Sequence, residues 1–284
     1  MAATTCRRDV TTELVYWKPA PGKVISTDFT TPGGEERFNA LESLRTTHPV
    51  TIHDIRGQEN DFTLDRNGFQ YIHHEVPGLK DCSNEDLVAA LLIPETETLV
   101  QKLTGATKTI VFAHRIRCKA TDTAKRGDSR APAYIVHSDF TVPGALHHLE
   151  VNVKDPAERE QLTKGRFCII NVWRPLKTIT RDPLTVCDWT SVDPETDWMV
   201  NRLIFPHGRN EFGSVVYNDK HKWFYLSHQE PSEPLVFKQF DSKETGNGGV
   251  TLAHCAFIDP EYANSKARES IEIKMFAFMP EGSS

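Results

Sequence analysis

The chain has 284 residues and a formal net charge of −6, with 38% hydrophobic and 25% charged residues. This composition is typical of a globular protein with a large core, and the acidic balance disfavours nucleic acid as a partner. No apolar run approaches the roughly 20 residues that a membrane helix needs, so we expect no membrane partner.

The six cysteines are scattered and form no C-x-x-C pair. The N-terminal residues contain no apolar signal core. Both observations favour a reducing, cytoplasmic setting.

The first third of the chain predicts a mixture of short elements. Residues 1–34 are mixed, with an extended arm or a turn predicted at residues 17–22. Residues 35–45 predict a short helix with apolar side chains on one face. Residues 53–56 and 62–65 predict strand pieces, followed by a turn at Asn67-Gly68.

Two helices should follow. Ser83 can cap the first, and Pro94 suits the first turn of the second, which should end at Gly105. A strand is then predicted from Thr109 towards Arg117.

The remainder predicts many short strands and one helix. Residues 119–132 predict a polar loop that could be a lid or a plain surface connection. The helix should begin after Asp155, which precedes Pro156, and a strand buried on both faces should span residues 167–173. Further strands are predicted at residues 214–217, 223–226, 235–238, 250–258 and 270–276.

This pattern predicts a mainly β (α+β) sandwich or jelly roll, with supporting helices mostly in the N-terminal half. We expect a single domain over residues 1–284. In it, residues 1–107 should pack on a core formed by residues 108–284.

A metal site is suggested by His137 and Asp139, which end the apolar, β-prone run 134–140. Residues i and i+2 of a strand point to the same face. One imidazole and one carboxylate could therefore meet, and a second His would complete the ligand set suited to non-heme Fe(II).

The candidates for the third ligand are His207, His221, His228 and His254. The first three have polar, turn-like surroundings and are expected on the surface. His254 lies in an apolar stretch, where a polar group needs a partner or a metal. A hydrogen-bonded structural histidine is the alternative.

Arg268 and Ser270 could anchor a co-substrate. They alternate onto one face at the start of the last strand, where a guanidinium can bind a carboxylate bidentately and a hydroxyl can add a hydrogen bond. Such a pair suits the distal carboxylate of 2-oxoglutarate, although Arg268 could also form a salt bridge at the rim. A rival metal motif exists in His147-His148-Leu149-Glu150.

Residues 171–176 (Asn-Val-Trp-Arg-Pro-Leu) and 182–188 (Asp-Pro-Leu-Thr-Val-Cys-Asp) resemble a fungal family of non-heme iron hydroxylases and desaturases. The resemblance extends from about residue 65 to residue 278. It includes Lys164-Gly165-Arg166-Phe167 and the segment around Arg268.

The resemblance implies a double-stranded β-helix (a cupin-like jelly roll), Fe(II) on His137, Asp139 and His254, and 2-oxoglutarate held by Arg268. Two residues depart from the family pattern. Cys255 stands where Thr or Ser is expected, and Lys274 stands where Arg is usual. Cys255 should point to the opposite face from His254.

Other residues could contact the co-substrate or the substrate. Asn171 could hydrogen-bond either one, or be satisfied by backbone. The further candidates for the substrate pocket, each of which could instead belong to the core or surface, are Trp173, Arg174, Tyr217, Tyr225, Phe257 and Arg130.

The expected function is an Fe(II)- and 2-oxoglutarate-dependent oxygenase that uses O2 to hydroxylate, desaturate or cyclise a small secondary metabolite. One alternative is an iron oxidase or cupin-like isomerase that does not use 2-oxoglutarate. Another is a non-catalytic β-sandwich binding protein. The oligomeric state does not follow from the sequence.

Overall fold

A computed structural model describes residues 7–79, 84–119, 121, 129–243 and 250–282. The predicted Ser83 cap and most of the predicted loop 119–132 lie outside these residues. The described residues form two β-sheets with helices against one of them.

The chain passes several times between the two sheets. Their bounds are β1 (Val10–Trp17), β2 (Val24–Asp28), β3 (Arg45–Asp54), β4 (Phe69–Tyr71), β5 (Lys108–Arg117), β6 (His137–Ser138), β7 (Phe167–Pro175), β8 (Leu184–Cys187), β9 (Trp198–Phe205), β10 (Gly208–Val215), β11 (Trp223–Tyr225), β12 (Leu235–Asp241), β13 (His254–Ala256) and β14 (Ser270–Phe278).

Nine strands form the larger sheet, in the order β1-β3-β11-β8-β13-β6-β10-β9-β2. Five form the smaller sheet, in the order β4-β12-β7-β14-β5. The sheets pack face to face, since Val186 of β8 and Phe237 of β12 belong to one buried cluster. This is the predicted jelly roll. Strands from residues before 108 contribute to both sheets.

Strand β7, at the centre of the smaller sheet, is buried on both faces, and its side chains alternate between them. In β7, Cys168, Ile170 and Val172 pack under the helices. Asn171 and Trp173 point the other way, towards the larger sheet. Every residue of β7 is buried, as its apolar composition predicts.

The helices lie in the N-terminal part of the chain and its middle. Their bounds are α1 (Gly34–Ala40), α2 (Leu64–Asn67), α3 (Glu85–Leu87), α4 (Ile93–Thr104), α5 (Val142–Asn152) and α6 (Pro156–Leu162). A π-helical turn, Val88–Leu92, joins α3 to α4. None of the described helices is long and apolar enough to cross a membrane.

Several start and stop signals act as predicted. The Asp155 side chain accepts a hydrogen bond from the backbone N–H of Ala157 at the start of α6. Gly105 ends α4 in the left-handed conformation, with a φ of 71°, which glycine adopts without steric cost.

Other element predictions were wrong. Residues 62–65 form no strand, because Thr63 caps the short helix α2 instead. Strands β1 and β2 were not predicted within the mixed segment 1–34; they gain their hydrogen bonds by pairing with β3 and β9. The core carries two helices rather than one, since residues 142–152 form α5.

Candidate active site

Two of the predicted metal ligands are cross-strand neighbours in the larger sheet. His137 of β6 lies directly opposite His254 of β13 in an antiparallel pair. Opposed residues in such a pair point to the same face, and the two ring centroids are 4.4 Å apart. The pairing of two short strands therefore brings together residues that are 117 positions apart in the sequence.

Asp139 follows β6 and completes the group. Its Oδ1 lies 3.8 Å from His137 Nε2, and its Oδ2 lies 3.9 Å from His254 Nε2. One ligand atom from each residue lies within 4.8 Å of the others. Two imidazoles and one carboxylate at such distances form a donor set that fits a non-heme Fe(II) ion.

The two imidazoles present the correct nitrogen. His137 Nδ1 is 2.7 Å from the Ile135 carbonyl oxygen, so Nδ1–H donates there and the Nε2 lone pair faces the group. His254 Nδ1 is 3.4 Å from the Leu252 carbonyl oxygen. Backbone acceptors of this kind fix the tautomer of metal-binding histidines.

Both histidines are kept neutral. Burial lowers the pKa of His254 to about 3, with a further contribution from His137. Burial also lowers the pKa of His137. A neutral imidazole is the form that binds a metal, so neither residue has to lose a proton at neutral pH.

Asp139 is kept ionised by a neighbouring cation. Burial favours its neutral form, but the Lys274 ammonium holds the pKa of its carboxyl below the usual range. Lys274 Nζ lies 2.8 Å from Asp139 Oδ2, and Asn171 Nδ2 lies 3.4 Å from the same oxygen. Both residues reach across from the smaller sheet.

The backbone of the ligand segments is held by Gln239, a fully buried residue of β12. The Asp139 backbone N–H donates to Gln239 Oε1 at 2.7 Å, and Gln239 Nε2 donates to the Leu252 carbonyl at 3.1 Å. Pairing with β7 shifts register at this residue. Such a bulge turns a side chain in a new direction, here towards β6 and the segment before β13.

Arg268 and Ser270 lie beside this group with unused hydrogen-bonding capacity. Arg268 is 5% exposed, and its Nη1 donates to the Asp182 carbonyl at 2.6 Å. Its Nε and the Ser270 Oγ are buried and find no hydrogen-bond partner among the described residues. Because burial of unpartnered polar atoms is costly, these donors fit a carboxylate ligand.

Arg268 keeps its charge in this setting. Burial, followed by the nearby Arg117, lowers its pKa to about 10. It therefore stays protonated at neutral pH. Its guanidinium lies 5.4 Å from the centre of the Trp173 ring, a cation–π distance.

A narrow cavity joins the metal-binding group to Arg268. Its volume is about 20 Å³. Its lining residues are Arg117, Ala133, His137, Asp139, Leu184, His254, Arg268 and Glu272.

The structure does not bring all the predicted pocket residues to this cavity. Tyr217, Tyr225 and Phe257 pack in or against a cluster on the other face of the larger sheet, together with Cys255. Tyr217 stacks on His48 with 3.9 Å between ring centroids. Cys255 thus points away from His254.

Two arginines proposed for the pocket also lie elsewhere. Arg174 points to the helix-covered side of β7, where its Nη1 donates to the carbonyls of His74 and Pro231. Arg130 is exposed, and its carbonyl accepts a hydrogen bond from the Lys119 backbone.

The rival metal motif is part of helix α5. His147 pairs with Glu150 at 3.8 Å on the surface, while the His148 ring packs edge-on against Phe140. Within the described ranges, His137, Asp139 and His254 are the only set of three that could hold a metal. His221, expected on the surface, is buried and bonded to Asp197.

Sequence reasoning missed two residues of the site, Gln239 and Glu272. It also missed the contact between Lys274 and Asp139. Glu272 Oε1 lies 2.9 Å from Lys274 Nζ, and Glu272 Oε2 lies 3.8 Å from Arg117 Nε. A signal was present in β14. Ser270, Glu272 and Lys274 are polar at alternate positions of a strand whose other residues are buried and apolar.

Comparison with known proteins identifies the family. A family model described as an oxidoreductase/YMDC permease-like domain matches residues 14–278. The hydroxylase/desaturase efuI of Hormonema carpetanum is 35% identical, and the alignment covers 98% of each chain. The α-ketoglutarate-dependent dioxygenase tstK of Talaromyces stipitatus is 31% identical over 79% of this chain and 83% of its own.

The chain belongs to this family of fungal hydroxylases and desaturases. The gibberellin cluster GA4 desaturase of Gibberella fujikuroi is also similar, with 27% identity over 82% of this chain and 87% of its own. A solved structure, the iron and α-ketoglutarate-dependent endoperoxidase NvfI, superposes with a TM-score of 0.79 at 24% identity. It covers 95% of this chain and 98% of that one, and it supports the fold.

The segment Lys164-Gly165-Arg166-Phe167, on which part of the sequence resemblance rests, has a structural explanation in this chain. A Cβ atom on Gly165 would lie 2.2 Å from the Met279 carbonyl oxygen, so only glycine fits there. The next residue, Arg166, pairs through Nη2 with Asp65 at 2.7 Å and with the buried Asp241 at 2.6 Å. This part of the motif fastens the end of α6 to the sheet, away from the metal-binding group.

Proposed function

We propose that this protein is an Fe(II)- and 2-oxoglutarate-dependent oxygenase that oxidises a C–H bond of a small molecule in fungal secondary metabolism. The observation that carries the proposal is the presence of two features side by side. One is the set formed by His137, Asp139 and His254. The other is the buried pair Arg268 and Ser270, with unsatisfied donors.

In this proposal, His137, Asp139 and His254 would hold Fe(II), and the α-keto acid end of 2-oxoglutarate would lie beside them. Bound together, the metal and the co-substrate supply the oxidising power for an unactivated C–H bond.

The protein's own side chains bind and orient. Arg268 holds the distal carboxylate of 2-oxoglutarate (called α-ketoglutarate in the names of relatives) through its guanidinium. Ser270 adds one hydrogen bond, and Trp173 shields the guanidinium from water. Asp182 fixes the direction of Arg268 from behind. Asn171, which faces Asp139, is placed to orient the metal-binding end.

The first test is anaerobic titration with Fe(II) and 2-oxoglutarate, monitored by the metal-to-ligand charge-transfer band. We expect the band in the wild type and its loss in Asp139→Ala, together with loss of succinate formation under O2. His147→Ala is the matched control, because it removes a histidine of the rival motif on α5 and should leave the band intact. A band that survives in Asp139→Ala would contradict the ligand assignment.

The second test concerns the co-substrate. Arg268→Ala should raise the KM for 2-oxoglutarate strongly, and Arg268→Lys should raise it less, because it keeps the charge but loses the planar fork. Lys177→Ala is the control, since Lys177 pairs only with the exposed Glu269 beside the site. Oxygen consumption that does not require 2-oxoglutarate would favour the iron oxidase alternative.

We further propose that the protein works in the cytoplasm without nucleic-acid or membrane partners. The described cysteines Cys118, Cys168, Cys187 and Cys255 are free thiols, which suits a reducing compartment. Fractionation of cells that express the tagged chain tests this. Recovery with a membrane or secreted fraction would contradict it.

A further inference from the structure

Lys274 occupies an unusual place for a lysine, between two carboxylates inside the cavity that holds the metal-binding group. Its Nζ lies 2.8 Å from Asp139 Oδ2 and 2.9 Å from Glu272 Oε1. Its side chain is 16% exposed. The proposed reaction leaves this ammonium without a role, since Arg268 already supplies the cation for the distal carboxylate.

The contacts of Lys274 distinguish the two oxygens of Asp139. Oδ2 faces Lys274 at 2.8 Å and Asn171 Nδ2 at 3.4 Å. Lys274 and Asn171 are directly opposed in the β14–β7 pair, so the same register places both donors at one oxygen. Oδ1 lies 3.8 Å from His137 Nε2 and Oδ2 lies 3.9 Å from His254 Nε2, so the contacts with Lys274 and Asn171 are what distinguish the two oxygens.

The position of Lys274 is itself fixed. Glu272 is two residues earlier on the same face of β14 and holds the ammonium from the other side. Arg117 lies on the edge strand β5, where it is paired with Ser270 of β14. Its Nε lies 3.8 Å from the second oxygen of Glu272. Four alternating charges therefore run from the edge of the sheet to the proposed metal ligand.

We propose that Lys274 is a positioning residue that makes Asp139 bind the metal through one oxygen only. By holding Oδ2, it directs Oδ1 to the metal and keeps a second coordination position from being taken by the same carboxylate. Three positions then stay open for the co-substrate and O2. Glu272 supports this role by orienting Lys274. The inference rests on the proposed function.

A purely electrostatic effect of Lys274 would act in the opposite direction. A cation close to the metal repels it, so removal of any cation in the cavity would tighten metal binding. A positioning role predicts weaker binding, because partners that orient metal ligands typically contribute about 10–100-fold in affinity. The sign of the change separates a positioning role from direct repulsion between Lys274 and the metal ion.

The test is Co(II) titration of the full-length protein without co-substrate. Lys274→Met should weaken Co(II) binding by about 10–100-fold, and Lys274→Arg should restore most of the affinity, because it keeps a charged donor. Lys238→Met is the matched control, because it removes another buried lysine that lies between two carboxylates, Asp65 and Asp241. Lys238 is not paired with Asp139, and its removal should not weaken binding.

Equal or tighter Co(II) binding by Lys274→Met would overturn the inference while leaving the proposed function intact. If the wild type bound no metal at all, the proposed function itself would fail. Lys274→Met leaves two buried carboxylates without their cation, so its folding must be checked by circular dichroism.

A second measurement does not depend on that variant. A crystal structure of the wild type with Mn(II) and 2-oxoglutarate should show one Asp139 oxygen on the metal and the other on Lys274. Coordination of Mn(II) by both oxygens of Asp139 would overturn the inference.

Discussion

Replacement of Gln239 by leucine should weaken metal binding although Gln239 is not a ligand. Its amide joins the two chain segments that carry the ligands. Oε1 accepts from the Asp139 backbone N–H at 2.7 Å and from Ser138 Oγ at 3.3 Å. Nε2 donates to the Leu252 carbonyl at 3.1 Å.

The magnitude follows from the groups that lose their partner. Leucine is close to glutamine in size, so the main cost is loss of hydrogen bonds rather than a cavity. A buried polar group left unsatisfied costs about 1–3 kcal/mol. The Asp139 N–H would lose its partner and carry the full cost, whereas the Leu252 carbonyl would keep its 3.4 Å contact with His254. We therefore expect a loss of about 2–4 kcal/mol in the free energy of unfolding.

Two assays separate stability from metal binding. Urea unfolding of the metal-free protein measures the loss of stability, and Co(II) titration under native conditions measures the affinity. Gln229→Leu is the control, because Gln229 is a buried amide that bonds the Glu233 carbonyl in a loop. Both variants should lose stability, but only Gln239→Leu should lose affinity. Wild-type Co(II) affinity in a folded Gln239→Leu variant would refute the reasoning.

Three further results are expected. The pKa of His254 is about 3 in the folded chain and 6.5 as a free side chain, so the unfolded state binds more protons between these values. The free energy of unfolding of the metal-free protein should fall as the pH drops through this window, by up to about 1.4 kcal/mol per pH unit. Urea titrations at several pH values measure this dependence, and His254→Gln should flatten it. Gly165→Ala forces a Cβ against the Met279 carbonyl and should cost about 1–3 kcal/mol in urea unfolding; an unchanged midpoint would show that the close approach is not real. Burial raises the pKa of the Cys255 thiol, so mass spectrometry should find it unmodified by iodoacetamide until the chain unfolds, and rapid labelling of native protein would contradict its placement.

The parts of the fold that local physics dictates could be predicted from the sequence. The strand β7 follows from an unbroken apolar run, and α6 follows from Asp155 and Pro156 at its start. The strands β1 and β2 could not be predicted, because half-exposed, threonine-rich segments become strands only where a partner strand is available. Conversely, the apolar run 250–258 predicted a strand longer than the one observed. Strand β13 contains only three of these residues, because only they pair with a neighbouring strand.

The same distinction separates the parts of the site. Histidine and aspartate at i and i+2 carry their chemistry in their residue types, and Arg268 with Ser270 is visible for the same reason. Tyr217, Tyr225 and Phe257 were plausible because aromatic side chains often line pockets. Their position depends on which face of a strand meets the second sheet, and local sequence does not specify that face.

The alternation in β14 nevertheless carried information that composition alone does not reveal. A strand buried on both faces should contain apolar residues throughout, yet Ser270, Glu272 and Lys274 occupy one of its two faces. Three polar groups on one buried face must satisfy one another or a ligand. Glu272 and Lys274 satisfy one another and Asp139, whereas Ser270 keeps a free hydroxyl beside Arg268. The polar residues of β14 therefore have two roles. Ser270 at its start is available to bind a ligand, whereas Glu272 and Lys274 hold Asp139, the carboxylate that we assign to the metal.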